Sequence, residues 1–180
     1  MIEYKDLAPI TLSAEIPGEA RSWRNNALIR EWTREFTLIT EIEQEIWQRY
    51  VQDSSHVKMF GITNLTHFVG VCGLTSIDRT NQNAEFSLYI APHYQKKGYG
   101  KKALISLLRH GFDCLNLIRI WGETFDHNPA IDMFLEMGMV QEGTLRNSYF
   151  RDGKFIDSHM VAVLRDEFRY KHRVVELKVL

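Results

Sequence analysis

Residues Gln95-Lys96-Lys97-Gly98-Tyr99-Gly100-Lys101 carry the most distinct chemistry in the chain, and that chemistry is anion binding. A strand-like run precedes this segment. An amphipathic helical pattern follows it, with Leu104, Leu107, Leu108, Gly111, Phe112 and Leu115 at helical spacing. A glycine turn that opens a helix presents outward N–H groups and the positive end of the helix dipole, and it lets a ligand approach the backbone closely. Phosphate or pyrophosphate suits such a turn. Lys96, Lys97, Lys101 and Lys102 crowd it, either as anion-steering charge or as a solvated face.

The elements that must hold this turn belong to a chain of 180 residues and 21.1 kDa, the length of one domain spanning 1–180. Hydrophobic residues make up 44% and the formal net charge is -1. No global basic bias points to nucleic acid. No apolar run approaches the roughly 20 residues of a membrane span, and MIEYKDLAPI lacks the pattern of a secretory signal. Cys72 and Cys114 have neither metal nor redox spacing, and the seven histidines are scattered. A cytoplasmic protein without a metal site is the expectation.

Thr40-Glu41-Ile42-Glu43 reads as a capping box, opening a helix with Ile42, Ile46, Trp47 and Tyr50 on one face. Before it, residues 20–36 read as one or two short helices. Residues 57–63, 68–77 and 84–91 read as an antiparallel meander of strands. After the turn and its helix come a strand over 117–125 and a helix from Asn128-Pro129 to Gly138. Strands near 144–151 and 154–164 join at Asp152-Gly153, a type I′ hairpin signal. The charged tail after Asp166 reads as a short helix or strand. The sum is an α+β fold with one β-helix-β crossover at the turn.

Gly98-Tyr99-Gly100-Lys101-Lys102-Ala103 also fits G-x-G-x-x-G/A, the dinucleotide fingerprint, with Glu123 as a ribose-binding acid. Residues 91–97 intervene between strand and glycine, and repeated βαβ units are missing, which weighs against an NAD(P)-binding oxidoreductase. Read from Gln95, the turn is Gln95-x-x-Gly98-x-Gly100 and resembles the Q/R-x-x-G-x-G/A signature of the GNAT superfamily of N-acetyltransferases. Residues 84–92, Asn128 with Ala130-Ile131 and Gly138-Met139, and Glu142-Gly143-Thr144-Leu145-Arg146 with Asp152-Gly153-Lys154 and Asp157 extend the likeness toward the RimJ/RimL-like branch. Trp23-Arg24-Asn25 with residues 85–89 also resembles acetyltransferases of nucleotide-linked amino sugars. The resemblance covers about residues 20–165.

The resemblance implies a GNAT fold: a mostly antiparallel central sheet of about six to seven strands, flanked by helices, with a central β-α-β crossover. It implies acetyl-CoA as acetyl donor. Backbone N–H groups from Gln95, Lys96, Lys97, Gly98, Tyr99, Gly100 and Lys101 would cradle its pyrophosphate. The strand at Leu88, Tyr89 and Ile90, splayed from its neighbour, would pair with the pantetheine arm, and Asn128 would contact CoA unless it is only a helix cap. Glu85 matches a base position that takes a proton from the amine. The usual acidic tyrosine is replaced by Phe134, or by Leu135 in the other register; either the thiolate leaves unassisted or through water, or another hydroxyl serves, with Tyr149 as the candidate or as a structural residue. Trp23, Arg24 and Asn25 would shape the acceptor pocket. A protein N-terminus, an amino sugar and a small amine or polyamine all stay open as acceptor, as does a non-catalytic acyl-CoA-binding module. Exposed strands at the C-terminal hairpin leave a homodimer open.

Overall fold

A computed structural model describes residues 11–64 and 66–172. The N-terminal decapeptide read above for a signal, and the tail beyond His172, lie outside the described residues. The elements in chain order are β1 (Thr11–Ser13), α1 (Ala20–Asn25), α2 (Ala27–Arg30), α3 (Glu41–Asp53), β2 (Lys58–Thr63), β3 (Phe68–Asp78), β4 (Asn83–Ile90), α4 (Tyr99–Arg109), β5 (Arg119–Phe125), α5 (Ala130–Glu136), β6 (Val140–Arg151), β7 (Lys154–Leu164) and α6 (Arg165–His172).

Local signals start and stop these elements. Thr40 Oγ1 accepts from Glu43 N at 3.2 Å, and Thr40 N donates to Glu43 Oε2 at 2.8 Å, closing the capping box of α3. The face of α3 differs from the expectation. Trp47 and Val51 pack inward, while Ile42, Ile46 and Tyr50 are exposed. Asn128 Oδ1 accepts from Ala130 N at 3.0 Å, and Gly138 at φ +102° ends α5. Asp152 and Gly153 both take positive φ, as a type I′ turn requires.

One sheet of seven strands results, in the order β1-β2-β3-β4-β5-β7-β6. Every neighbouring pair is antiparallel except β4 with β5, which are parallel and joined through α4. This is the GNAT fold expected above, with β1 and the start of β6 at Val140 added to it. A single parallel pair excludes the doubly wound sheet that the dinucleotide reading needs.

Alternation along β4 separates two layers. Phe86, Leu88 and Ile90 face the main core with Leu104, Leu107, Leu108 and Phe112. Glu85, Ser87 and Tyr89 face the other side, where Ala20, Val57, Met59 and Val71 form a second cluster that Tyr89 and Trp47 join. The β4/β5 pairing covers only Asn83–Glu85 against Arg119–Trp121. Beyond it the Phe86 ring lies over Gly122, where a Cβ would come within 2.3 Å of Phe86 Cε1, and meets Phe134 edge-on at 5.0 Å. That ring wedges the two strands apart.

Candidate functional site

The glycine turn sits past the C-terminal end of β4. Lys96 and Gly98 both take left-handed φ, at 58° and 81°. Gly98 supplies that conformation without a Cβ penalty. Lys102 N is the first to bond back into the helix, to Gly98 O at 3.3 Å. Among the described residues the N–H groups of Gly98, Tyr99, Gly100 and Lys101 have no partner, as expected of a helix's first turn. A Cβ on Gly100 would meet Met133 Sδ at 3.4 Å and Ile90 Cγ1 at 3.8 Å, ordinary contacts. Packing therefore does not require glycine at position 100.

Several turn residues are already engaged. Gln95 N donates to Pro92 O at 3.3 Å and Gln95 Nε2 to Ile90 O at 3.1 Å, so Gln95 braces the turn and its N–H does not face a ligand. Lys97 Nζ donates to His93 O at 2.9 Å, and Lys101 pairs with Glu136 on α5. The Tyr99 hydroxyl accepts from Asn64 Nδ2 at 3.2 Å.

The open edge of β4 leads from this turn. Ala91 N donates to Val69 O at 2.9 Å, which fixes the phase of the β3/β4 ladder. Tyr89 therefore turns its main chain toward β3, while Leu88 and Ile90 turn theirs to the edge that β5 has left. This corrects the expectation at Tyr89, whose hydroxyl instead reaches Ala20 O at 3.4 Å.

A buried acidic cluster lies on the opposite face of β4 and β5. The Glu85 and Glu123 side chains are 9% and 8% exposed. Arg34 bridges them, with Nη2 on Glu85 Oε1 and Nη1 3.4 Å from Glu123 Oε2. Tyr149 donates its hydroxyl proton to Glu123 Oε2 at 3.0 Å, and Ser158 Oγ donates to Glu123 Oε1. A bulge in β6 delivers Tyr149: Leu145 pairs with Ser158 but Tyr149 with Ile156, so β6 has extra residues between them. Its ring rests on Phe125 at 4.8 Å. Burial pushes Glu85 above the ordinary carboxylate value; Arg34 pulls it down and Glu123 raises it again. Burial, then Glu123, pushes the Tyr149 hydroxyl up.

Thus Glu85 and Tyr149, both expected from the sequence, meet through Glu123 and Arg34. Arg34 and Ser158 were not foreseen, and Glu123 was read for another ligand. The expected acceptor residues occupy different roles. Asn25 has Nδ2 on Ile39 O and Oδ1 under Ile39 N, both at 2.8 Å. Arg24 Nη1 donates to Thr33 Oγ1 at 2.7 Å, and burial lowers its guanidinium from its ordinary value. Together they clip the irregular segment 31–40, which carries Arg34, onto α1. Trp23 is half-buried on that helix. The Asn128 side chain caps α5. Cys72 is buried, its thiol pushed up to about 12, which makes it a poor nucleophile. Among the described residues no group of three His, Cys, Asp or Glu could hold a metal, and no helix is long and apolar enough to cross a membrane.

The arrangement offers an anion cradle, an extended backbone edge and buried carboxylates across the sheet from the core. Comparison with known proteins agrees. Residues 6–139 match the model of the acetyltransferase (GNAT) domain. The spermidine N(1)-acetyltransferase of Vibrio cholerae serotype O1 is 26% identical over 80% of this chain and 84% of its own length. That of Escherichia coli K12 is 24% identical over 83% and 80%. A crystal structure of the Vibrio cholerae spermidine N-acetyltransferase with CoA and spermine superposes with a TM-score of 0.81, at 26% identity, over 88% of this chain and 97% of that one.

Proposed function

The chain belongs to the acetyltransferase (GNAT) domain family and is an N-acetyltransferase; we propose that it moves the acetyl group of acetyl-CoA onto a primary amine of a cationic aliphatic amine of the polyamine class. The observation that carries the acceptor class is the pair of buried carboxylates, Glu85 and Glu123, beside the open edge of β4. Two acids in one desolvated site favour a compact cation. They repel a sugar nucleotide, and Arg24, the residue suited to its phosphate, is engaged by Thr33. The spermidine acetyltransferases that the chain resembles support the same class. The RimJ/RimL-like and amino-sugar likenesses find no such support in the cluster.

The turn at 96–101 would receive the pyrophosphate on unpartnered N–H groups, and the Leu88 and Ile90 main chain would align the pantetheine arm. An alkyl amine is mostly protonated near neutral pH and must lose a proton to attack. Glu85, its carboxyl raised by burial, takes that proton. Glu123, oriented by Tyr149 and Ser158, holds the positive charge until then. A main-chain N–H of Leu88 or Ile90 donates to the carbonyl oxygen as it gains charge. Phe134 is buried and carries no proton, and the Tyr149 hydroxyl is held by its hydrogen bond to Glu123, so the thiolate leaves without a side-chain acid and takes up the second proton that the nitrogen sheds as the tetrahedral intermediate collapses.

A free-thiol assay with acetyl-CoA and three acceptors tests this reading. Spermidine should release thiol, whereas a peptide with a free N-terminus and a UDP-linked amino sugar should not. Turnover confined to either of the latter would overturn the acceptor class. Acetyl-CoA binding without thiol release from any amine would instead mark a non-catalytic module.

A further inference from the structure

The acidic site is not open to an incoming cation. Arg34 contacts both Glu85 and Glu123, and while those side chains are 9% and 8% exposed, Arg34 is 46% exposed. The acids lie inside and the guanidinium lies over them, on the solvent side. Arg34 is carried by residues 31–40, which form neither helix nor strand at its position. The main chain there is braced. Arg151 donates to Thr33 O at 3.1 Å and to Arg34 O at 2.6 Å, and Asn25 clips Ile39. The long side chain of Arg34 can therefore change rotamer while its backbone stays fixed.

We infer that Arg34 is a built-in competitor for the acceptor: its guanidinium fills the ammonium subsite of the free protein and swings out when a cationic amine enters. This inference rests on the amine reading above. The physical reason is charge compensation. Two buried carboxylates without a cation would be costly to the fold. Exchanging one cation for another keeps both paired throughout. An uncharged acceptor of the same shape could not drive the exchange, because it would leave the acids unpaired. Arg34 thereby selects for charge as well as for reach.

Steady-state thiol release with acetyl-CoA and spermidine, for wild type, Arg34→Ala and Arg34→Lys, tests the inference. If Arg34 occupies the acids in roughly nine of ten free molecules, it weakens apparent amine affinity about tenfold. Arg34→Ala should then show a spermidine KM about tenfold lower and an unchanged acetyl-CoA KM. Spermidine alone should raise its melting temperature more than that of wild type. Arg34→Lys, a point charge without the bridging fork, should fall between the two. An unchanged or raised spermidine KM in these variants, with wild type active, would overturn the inference and leave the enzyme assignment standing. Should Arg34→Ala not fold, a KM for Arg34→Lys below wild type supports the inference, and one at or above it overturns it. A wild type inactive with every amine would remove the acceptor reading and this inference with it.

Discussion

At the scale of residues, Glu85 is defined by its burial and its partners. The alternation of Glu85, Phe86, Ser87 and Leu88 shows that the glutamate and the core residues point to opposite faces, but not which face is covered. Segment 31–40 decides that, bringing Arg34 to Glu85 from 51 positions away. Such a distant partner has no local signal, and a lone arginine between a tryptophan and a phenylalanine gives no hint of it. Glu123 was visible as an acid on a strand, yet its partners Tyr149 and Ser158 reach it only through the β6 bulge and the β7 register. The consequence for stability has a definite sign. The native pKa of Glu85 is raised above its ordinary 4.5, so the native state holds that proton to higher pH than the unfolded chain does. The stability linked to it is fully present below 4.5 and is lost as pH rises through the raised native value. Glu85→Gln cannot lose it. Urea midpoints measured from pH 4 to 7 should therefore shift in favour of Glu85→Gln, relative to wild type, as pH rises. A constant gap, or one moving toward wild type, would contradict the assigned shift.

At the scale of elements, the sequence was most legible where a conformation is decided within a few residues. The capping box of α3, the Asn128 cap and Gly138 stop of α5, and the Asp152-Gly153 hairpin all follow from backbone chemistry at the site itself. The wedge between β4 and β5 was expected only by resemblance, because it needs the Phe86 ring to meet Gly122 across the sheet. The α3 face shows the converse. Ile42, Ile46 and Tyr50 have helical spacing, yet the neighbouring stripe of Trp47 and Val51 is the one that packs. The turn makes its own prediction. Alanine at Gly100 would gain helix propensity, at most about 1 kcal/mol, and meets only ordinary contacts on Met133 and Ile90. The same methyl would crowd a pyrophosphate, where overpacking costs about 1–3 kcal/mol. Gly100→Ala should melt no lower than wild type while its acetyl-CoA KM rises about tenfold or more. A lowered melting temperature with unchanged acetyl-CoA KM would mean that Gly100 serves the fold and not the ligand.

At the scale of the molecule, the proposed function has one sheet serve two ligands from two directions. The anion cradle belongs to β4 and α4, while the carboxylates lie under the N-terminal helices and the C-terminal hairpin. The order β4-β5-β7-β6 brings Glu85, Glu123, Ser158 and Tyr149 onto one face. The proposed donor site was readable from one continuous motif. The proposed acceptor site was not, because its residues are spread from Arg34 to Ser158 and assemble only in the folded sheet. In the proposed mechanism this assembly deprotonates an amine at Glu85 for acetyl transfer, and amine-dependent thiol release from acetyl-CoA by wild type and Glu85→Gln measures that step. Wild type should release thiol with spermidine, and Glu85→Gln should show a kcat at least about a hundredfold lower, the usual weight of general base catalysis. Equal rates in the two proteins, or no release in wild type, would rule out Glu85 as the base.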